Sequence, residues 1–550
     1  MPIYKTPNVY IEEVATLPPS VVPVATAIPA FIGCTEKAGN NNEYRLMPIR
    51  ISSLLDYTTH FGGAHATPFA VTLDEKEQIT QIQVGDSAIT TPNYLMYYAV
   101  RLFFDNGGGS CYIISVEDYS KKPNKQAFED GLAALRKEDE PTLILLTDAV
   151  NLAGSTDYYD LCKSALRQCN DLKDRFSVLD VLATDNDATK GIGANFRGGI
   201  GTEYLKYGAA YYPYLQTSLN YHYTDDSVTI TTTTAVGQLI IGGADGLLVT
   251  YSGSRSETPR ARVTITARQD IDVALDNNVL TIRLPQAGGS VADILTKVAA
   301  ASLGKYTVRA SGATTQMFDT TLDETPLSYP PDTLADKSIK TEKTELYSKI
   351  KLALNALRVT MPPSSAIVGV YATVDRERGV WKAPANVSLA SVIGPTVKVT
   401  NEEQENLNVH TTGKSINAIR GFTGKGTLIW GARTLAGNDN EWRYVSVRRF
   451  FNLIEESIQK ATNFVVFESN NAITWLKVKT IAETYLDGLW RQGALAGATP
   501  EEAYFVNVGL GQTMTEQDIL EGRMIIEIGV SVVRPAEFIV LRFSHKLQQT

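Results

Sequence analysis

Histidine and cysteine are scarce in this sequence and long apolar runs are missing, which excludes several classes of protein. The 550 residues include five histidines and four cysteines, and the cysteines have neither metal-site nor redox spacing. We interpret Cys162 and Cys169, which lie on one predicted helix, as buried thiols. The longest nearly uncharged stretch near the start, residues 21–34, is broken by prolines and too short to cross a bilayer. We therefore expect no direct membrane insertion.

Catalytic motifs are missing as well. No G-x-S-x-G, H-E-x-x-H or paired C-x-x-C pattern occurs. Residues 413–415, Gly-Lys-Ser, end like a phosphate-binding loop, but Asn408 stands where that loop requires its first glycine. We predict no catalytic residue, no cofactor and no metal, although a motif search does not detect an enzyme whose residues are far apart in sequence.

Three aspartates are the strongest metal candidates. Asp180, Asp185 and Asp187 follow a strand-like run at the place where an α/β protein could hold a cation. Acidic loop residues are more often solvated, and we interpret these three in that way.

The charge balance argues against two kinds of partner. The formal net charge is −9, which is unfavourable for a nucleic-acid coat or for binding to an anionic membrane.

The first residues, MPIYKTPNVYIEEV, place acids where a signal peptide has its apolar core, so we expect no secretion signal. With 43% hydrophobic and 20% charged residues, the chain has the composition of a soluble globular protein.

The order of the patterns predicts an α/β (α+β) multidomain protein. Between residues 25 and 215, strand-like runs alternate with helical spacing, as in βαβ units. Residues 216–325 are rich in Val, Ile and Thr and contain the near copies 227–231 and 262–266, which indicates an inserted β-rich domain. Between residues 361 and 451, short apolar runs alternate with Pro, Gly and Asn, which is typical of buried strands joined by turns.

Both chain ends carry a strand-like run beside prolines. The residues concerned are Val9, Tyr10, Ile11 and Val14 at one end and Phe538, Ile539, Val540, Leu541 and Phe543 at the other. A terminal strand needs an edge to pair with, and that edge belongs either to its own sheet or to a neighbouring molecule. The sequence alone leaves these alternatives open.

Several short phrases, in order, resemble the contractile tail sheath family of phages and of related extracellular injection particles. They are Val370-Tyr371 with Asp375-Arg376 and Arg378-Gly379-Val380-Trp381, then Ala383-Pro384-Ala385-Asn386, then Trp430-Gly431-Ala432-Arg433-Thr434, then Arg448-Arg449-Phe450. The resemblance is clear over residues 1–35 and 341–547, loose over 36–215 and nearly absent over 216–340.

This resemblance implies a discontinuous α/β core with extended terminal strands. The expected segments are an N-terminal arm (1–24), a first core part (25–215), an inserted β-rich outer domain with linker (216–340), a second core part (341–523) and a C-terminal strand arm (524–550). Sheath subunits of this type exchange terminal strands with their neighbours, so the resemblance favours pairing between molecules.

The implied function is structural. A sheath subunit polymerises in stacked helical rings around an inner tube protein and contracts to drive that tube through a target envelope. Its expected partners are copies of itself, the tube, and baseplate and terminal cap proteins, with assembly in the bacterial cytoplasm. The particle is then cytoplasmic, membrane-attached or released. The alternative is a soluble α/β enzyme with a β-rich accessory domain.

The expected tube contact is a short acidic helix at residues 515–523. Thr515 suits an N-cap, Asp518 completes a capping-box-like pair and Gly522 suits a stop. Glu516, Asp518 and Glu521 would then meet basic residues on the tube, whereas the plainer interpretation is a solvated surface helix. The basic stretch 443–449 is the next candidate.

Overall fold

The computed structural model describes residues 21–74, 76–85, 92–187, 191–232, 236–253, 257–328 and 332–541. Two compact units divide this part of the chain. The first unit takes residues 21–64, 94–219 and 360–541, and the second takes 65–93 and 220–359. Each unit is therefore assembled from segments that are separated in sequence.

The helices and strands follow the chain through both units. Residues 21–64 form β1 (Pro29–Thr35), β2 (Ile49–Ile51) and α1 (Leu54–Phe61). Residues 65–93 form β3 (Phe69–Leu73) and β4 (Ile79–Val84). Residues 94–219 form α2 (Met96–Asp105), β5 (Cys111–Asp118), α3 (Lys125–Leu135), β6 (Leu143–Leu146), α4 (Ser155–Leu172), β7 (Phe176–Asp180), β8 (Asn186–Asp187), β9 (Gly191–Ile192), α5 (Ala194–Gly199), β10 (Gly208–Tyr212) and β11 (Leu215–Thr217).

The remaining elements alternate between the units in the same way. Residues 220–359 form β12 (Val228–Thr232), β13 (Gly237–Ile241), β14 (Leu247–Tyr251), β15 (Arg260–Ile265), β16 (Asp272–Asp276), β17 (Val279–Leu284), β18 (Gly289–Ser290), α6 (Val291–Ala300), β19 (Tyr306–Ala310), β20 (Met317–Phe318), β21 (Leu322–Pro326), β22 (Asp332–Thr333) and α7 (Thr344–Ala356). Residues 360–541 form β23 (Thr360–Met361), α8 (Ser364–Arg378), β24 (Val387–Ser388), β25 (Val392–Pro395), α9 (Asn401–Asn408), β26 (Asn417–Phe422), β27 (Gly426–Ile429), α10 (Val445–Thr462), α11 (Ala472–Arg491), α12 (Pro500–Ala503), β28 (Tyr504–Val508), α13 (Glu516–Leu520) and β29 (Ile526–Val530).

A nine-stranded sheet forms the centre of the first unit, in the order β2-β5-β1-β6-β7-β10-β26-β27-β24. The run from β5 to β26 is parallel, and every residue of β1 is buried, as expected for a parallel sheet covered on both faces. β10 pairs with β26, where Tyr211 lies opposite Asn417. The sheet is therefore completed by strands from both halves of the chain, and the predicted α/β fold class is confirmed.

Helix α8 is a correction to the sequence analysis, which interpreted the apolar runs after residue 361 as strands. Ser364–Arg378 is an α-helix, and ten of its residues are buried, from Ser364 to Val374. Because solvent does not line one face, the sequence lacks the 3.6-residue alternation that identifies a surface helix. An all-round buried helix and a buried strand look alike over such a short run.

The second unit contains the β-rich segment. Its sheets have the orders β22-β12-β3-β4, β13-β14-β19 and β16-β17-β15-β21, and its core includes Val249, Ile282 and Ile294. The sequence analysis places residues 65–93 in the first core part, whereas in the structure β3 pairs in parallel with β12, with Val71 opposite Ile230. That pairing joins segments about 160 residues apart in sequence, and local patterns carry no information about it.

The C-terminal part of the first unit has its own apolar cluster beside a small sheet. β28 and β29 pair antiparallel, with Tyr504 opposite Val530, and form a sheet of two strands. Phe450 and Ile454 of α10 and Leu486 of α11 belong to the cluster that supports this sheet. In the part of the chain covered here, no helix is long and apolar enough to cross a membrane.

Candidate functional site: the roots of the two chain ends

The predicted terminal strands are only partly visible. Val9, Tyr10, Ile11, Val14 and Phe543 lie outside the described residues. Phe538, Ile539, Val540 and Leu541 lie outside the helices, and each is between 69% and 80% exposed. None of these four belongs to a strand in the described chain. An apolar run exposed in this way is what a strand donated to another molecule presents before pairing.

From here on, the C-terminal arm means residues 532–541, the described residues that follow the small sheet. This arm stays in contact with its own subunit. Val532 makes a β-bridge with Leu495, and the N–H of Val533 donates to the carbonyl of Ala494 at 3.4 Å. Arg534 Nη1 then donates to the carbonyl of Asn440 at 2.8 Å. The arm is thus attached step by step as far as Glu537.

Glu537 is held by what we name the C-terminal clamp: Arg433, Asn408, Tyr444 and Glu537. Arg433 Nη2 donates to Glu537 Oε2 at 2.6 Å, and Arg433 Nε donates to Oε1 at 3.0 Å. Asn408 Nδ2 donates to Oε1 at 2.7 Å and the Tyr444 hydroxyl to Oε2 at 3.1 Å. Both carboxylate oxygens therefore have two donors, which is the geometry of a strong, oriented ion pair.

Asn417 of the central sheet fixes the position of Arg433 in this clamp. Asn417, the first residue of β26, accepts from the N–H of Arg433 at 2.7 Å and donates to the Arg433 carbonyl at 2.8 Å. The Arg433 side chain is 4% exposed and also donates to the carbonyls of Asn408 and Gly437. Burial alone would raise the pKa of Glu537, but hydrogen bonds from Arg433 and Asn408 hold that pKa below its usual value.

The N-terminal clamp consists of Thr26, Asp375, Arg449 and Ser457. Arg449 pairs with Asp375 through Nη1–Oδ1 at 3.1 Å and Nη2–Oδ2 at 2.5 Å, and their side chains are 3% and 6% exposed. The Thr26 hydroxyl donates to Asp375 Oδ2 at 2.6 Å, and Arg449 Nη2 donates to the Thr26 carbonyl at 2.8 Å. The N–H of Val24 donates to Ser457 Oγ at 3.2 Å.

Three of the four charged residues of the two clamps lie inside the phrases on which the family resemblance rests. Asp375, Arg433 and Arg449 each stand in one of those phrases, and Glu537 lies in the run that precedes the C-terminal strand. Helical spacing places Arg448, Arg449 and Glu456 off the apolar face of α10, yet all three are buried. A charged side chain within an apolar phrase is the signal that was missed, because a buried charge requires a partner.

The acidic helix forms as predicted, but two of its acids are already paired. Thr515 caps α13 in a capping box with Asp518, and Gly522 has a φ of 72° at the stop. Arg523 lies 2.8 Å from Asp518 and 2.5 Å from Glu521. Glu516 is exposed. The alternative basic stretch 443–449 is a poor surface candidate because Arg448 and Arg449 are buried.

An exposed apolar patch adjoins this helix and was not predicted. We define it as Phe464, Val466, Phe467, Ile473 and Leu476, all exposed, with Phe467 entirely so. Phe467 also has a φ of 69°, which is unusual for a bulky residue. Asn470 Nδ2 in this loop donates to the carbonyl of Arg523 at 3.0 Å, which joins the patch to the acidic helix. These five exposed apolar side chains lie close together in sequence, which makes the segment a candidate binding surface.

Two of the three candidate metal aspartates, Asp180 and Asp185, serve the fold, and the side chain of Asp187 lies outside the described residues. Asp180 accepts from the N–H and the hydroxyl of Ser364 at 2.8 and 2.6 Å, and Asp185 accepts from the N–H groups of Asn195 and Phe196. Both aspartates are buried, so the expectation that they are solvated is wrong. They satisfy backbone N–H groups at helix starts. The four cysteines are buried and free, as predicted for Cys162 and Cys169.

The comparisons with known proteins point to one family. Residues 437–546 match the family described as the phage tail sheath C-terminal domain. The tail sheath protein of Enterobacteria phage T4 is 26% identical over 128 residues, which is 23% of this chain and 19% of that protein. A putative prophage major tail sheath protein of Pseudomonas aeruginosa is 28% identical over 149 residues, which is 26% of this chain and 36% of that protein. The chain thus spans a fifth to about a third of these relatives.

Solved structures extend the likeness to nearly the whole chain. The sheath of the extracellular contractile injection system PVC, in its contracted state, is 26% identical with a TM-score of 0.56, over 99% of both chains. The helical sheath of the anti-feeding prophage, also contracted, is 27% identical with a TM-score of 0.57, over 99% of this chain and 100% of the other. A baseplate structure of the anti-feeding prophage gives 27% identity and a TM-score of 0.56, over 99% and 100% of the two chains.

Proposed function

Because this chain belongs to the contractile tail sheath family, we propose that it is a structural sheath subunit of a contractile injection system or phage-like tail. It polymerises in stacked helical rings around an inner tube protein and contracts to drive that tube through a target envelope. The observation that carries this proposal is the pair of clamps, which fix both chain ends where they leave the core while residues 538–541 stay exposed. An apolar end held this firmly is suited to pairing with a neighbouring molecule.

The small sheet of β28 and β29 is the proposed acceptor of the neighbours' arms. In the described chain this sheet has only two strands, and added strands would extend its ladder of backbone hydrogen bonds. A groove of about 520 Å³ runs beside it, lined by Phe451, Tyr504, Phe505 and Val532 among others. The strand-like runs at residues 9–14 and 538–543 are the donors. Contraction then moves rigid subunits that remain linked through these strands.

The proposed partners follow from the same assembly. They are copies of this chain, the inner tube protein, and baseplate and terminal cap proteins, with assembly in the bacterial cytoplasm. The second unit, which interrupts the core in sequence, is proposed to face outward, where its shape can vary without disturbing the subunit contacts.

Negative-stain microscopy of the purified full chain tests the function. We expect long hollow cylinders that appear above a critical protein concentration, because exchanged strands make growth cooperative. A stable monomer at every concentration, with no assembly on added tubes, would support the alternative, a soluble α/β enzyme.

Charge reversal on α13 tests the proposed tube contact. The acids concerned are Glu516, Asp518 and Glu521, and we expect their triple change to Lys to abolish assembly around purified tubes while sheath-to-sheath contacts persist. Since Arg523 already pairs with two of them, Glu516→Lys alone is expected to weaken co-sedimentation with tubes about tenfold.

Helix α9 offers the matched control for that substitution. It also begins with a capping box, and Glu402 lies in its first turn as Glu516 does in α13. Glu402→Lys therefore changes the same charge in the same local setting and should leave tube binding unchanged. If the triple variant assembles on tubes with ordinary salt sensitivity, the contact lies elsewhere and the exposed patch around Phe467 becomes the next candidate.

A further inference from the structure

The two clamps differ in where their charges lie. In the N-terminal clamp, the ion pair of Asp375 and Arg449 is complete within the core. The chain end contributes only neutral groups, which are the hydroxyl and carbonyl of Thr26 and the N–H of Val24. In the C-terminal clamp, the arm itself carries the carboxylate, Glu537, and the core supplies the cation. Removing the charge of Glu537 therefore detaches the C-terminal arm and leaves the N-terminal clamp intact.

Within the described part of the chain, Glu537 is the last residue of that arm that makes a hydrogen bond. The following residues, Phe538 to Leu541, are exposed and unpaired in any strand of the described chain. Arg433 does not depend on the arm for its own position, because it is also held by the carbonyls of Asn408 and Gly437 and by Asn417 beside it. A cation that is already oriented holds a carboxylate at one place and in one direction.

We propose that the Arg433–Glu537 pair is a latch that sets the direction in which the exposed strand of the C-terminal arm leaves the subunit, and so controls how readily neighbouring subunits join. This inference rests on the proposed sheath function. A strand that starts from a fixed root samples less space, so its effective concentration at the acceptor sheet is higher and less entropy is lost on pairing. Without the latch, the arm would be held no further than Arg534, whose side chain donates to the Asn440 carbonyl.

Glu537→Gln tests the latch because it keeps the length of the side chain and removes its charge. The free subunit is examined with a spin label on Val540→Cys, with and without the Gln substitution. The native cysteines do not interfere, since all four are buried. We expect the label to become more mobile in the Gln variant. In the unlabelled chain, we expect the critical concentration for cylinder formation to rise about tenfold.

Two further variants separate the latch from a general loss of charge or of folding. Glu405→Gln removes an exposed acid from α9, the helix that ends at Asn408 of the clamp, and should change neither readout. Glu537→Asp keeps the charge and should recover part of the normal assembly. The unfolding midpoint of the first unit, followed by tryptophan fluorescence, should be nearly the same in all of them.

The outcomes distinguish the latch from the function on which it rests. Unchanged label mobility in Glu537→Gln would show that the pair does not hold the arm. Increased mobility with an unchanged critical concentration would show that arm direction does not govern assembly, and either result overturns the proposal. If the unsubstituted chain forms no cylinders and does not assemble on tubes, the sheath function itself fails, and the latch proposal fails with it.

Discussion

Chains that lack residues 538–550, or residues 1–20, are expected to fold normally and to form no long cylinders. Each deletion removes one strand-like end and keeps the clamp at its root, since Glu537 and Thr26 remain. Burying one large apolar side chain is worth about 1.5–3 kcal/mol, so losing the exposed run at 538–541 removes much of the free energy that joins neighbouring subunits. Negative-stain microscopy and sedimentation measure the loss.

A point substitution should weaken assembly less than the deletion of residues 538–550. Val540→Pro leaves the chain length unchanged and removes one backbone N–H from the donated strand, so it should shorten the cylinders rather than abolish them. Normal cylinders from both truncated chains would show that the subunits connect through other surfaces.

Arg449→Met is expected to destabilise the first unit by about 3–5 kcal/mol, the usual cost of leaving one partner of a buried ion pair without the other. Asp375 would remain 6% exposed with only the Thr26 hydroxyl among its present clamp partners. The Arg449 guanidinium also lies 4.5 Å from the centre of the Tyr371 ring, a contact that Met replaces only in part.

Tryptophan fluorescence during urea unfolding measures this effect in one unit alone. All five tryptophans, at positions 381, 430, 442, 475 and 490, belong to the first unit. Arg378→Met, at an exposed arginine near the end of α8, is the matched control and should change the midpoint little. The double variant Asp375→Leu, Arg449→Met should lose less than Arg449→Met, because no buried charge is left unpaired. A loss below about 1 kcal/mol in Arg449→Met would contradict the importance of the pair.

The sequence predicted elements that have a local signature. The capped helix α13 was predicted because capping residues act over a few positions. Helix α8 was missed because it is buried on all sides and shows no periodicity. Residues 65–93 were assigned to the first core part and not to the second unit, because the pairing of β3 with β12 depends on segments that are distant in sequence.

Local sequence patterns do not predict the clamps, for a similar reason. The hydrogen bond from Thr26 to Asp375 joins residues 349 positions apart, and Arg433 and Glu537 are 104 apart. No spacing rule connects such residues. Three of the four charged clamp residues stand in the phrases that resemble the sheath family, but those phrases do not indicate which residues they contact. Charged residues inside apolar phrases require partners of opposite charge, and this requirement reduces the number of residues that could form the clamps.

The separation between Thr26 and Arg449 also has a consequence for synthesis on the ribosome. The two residues are 423 positions apart. At the usual rate of translation, roughly 20–85 seconds pass between the emergence of the N-terminal end and the arrival of the arginine that anchors it. β26, which completes the parallel part of the central sheet, is also made late. A nascent chain therefore exposes its N-terminal end before it has a finished core, and only a full-length, released chain has both ends anchored for assembly.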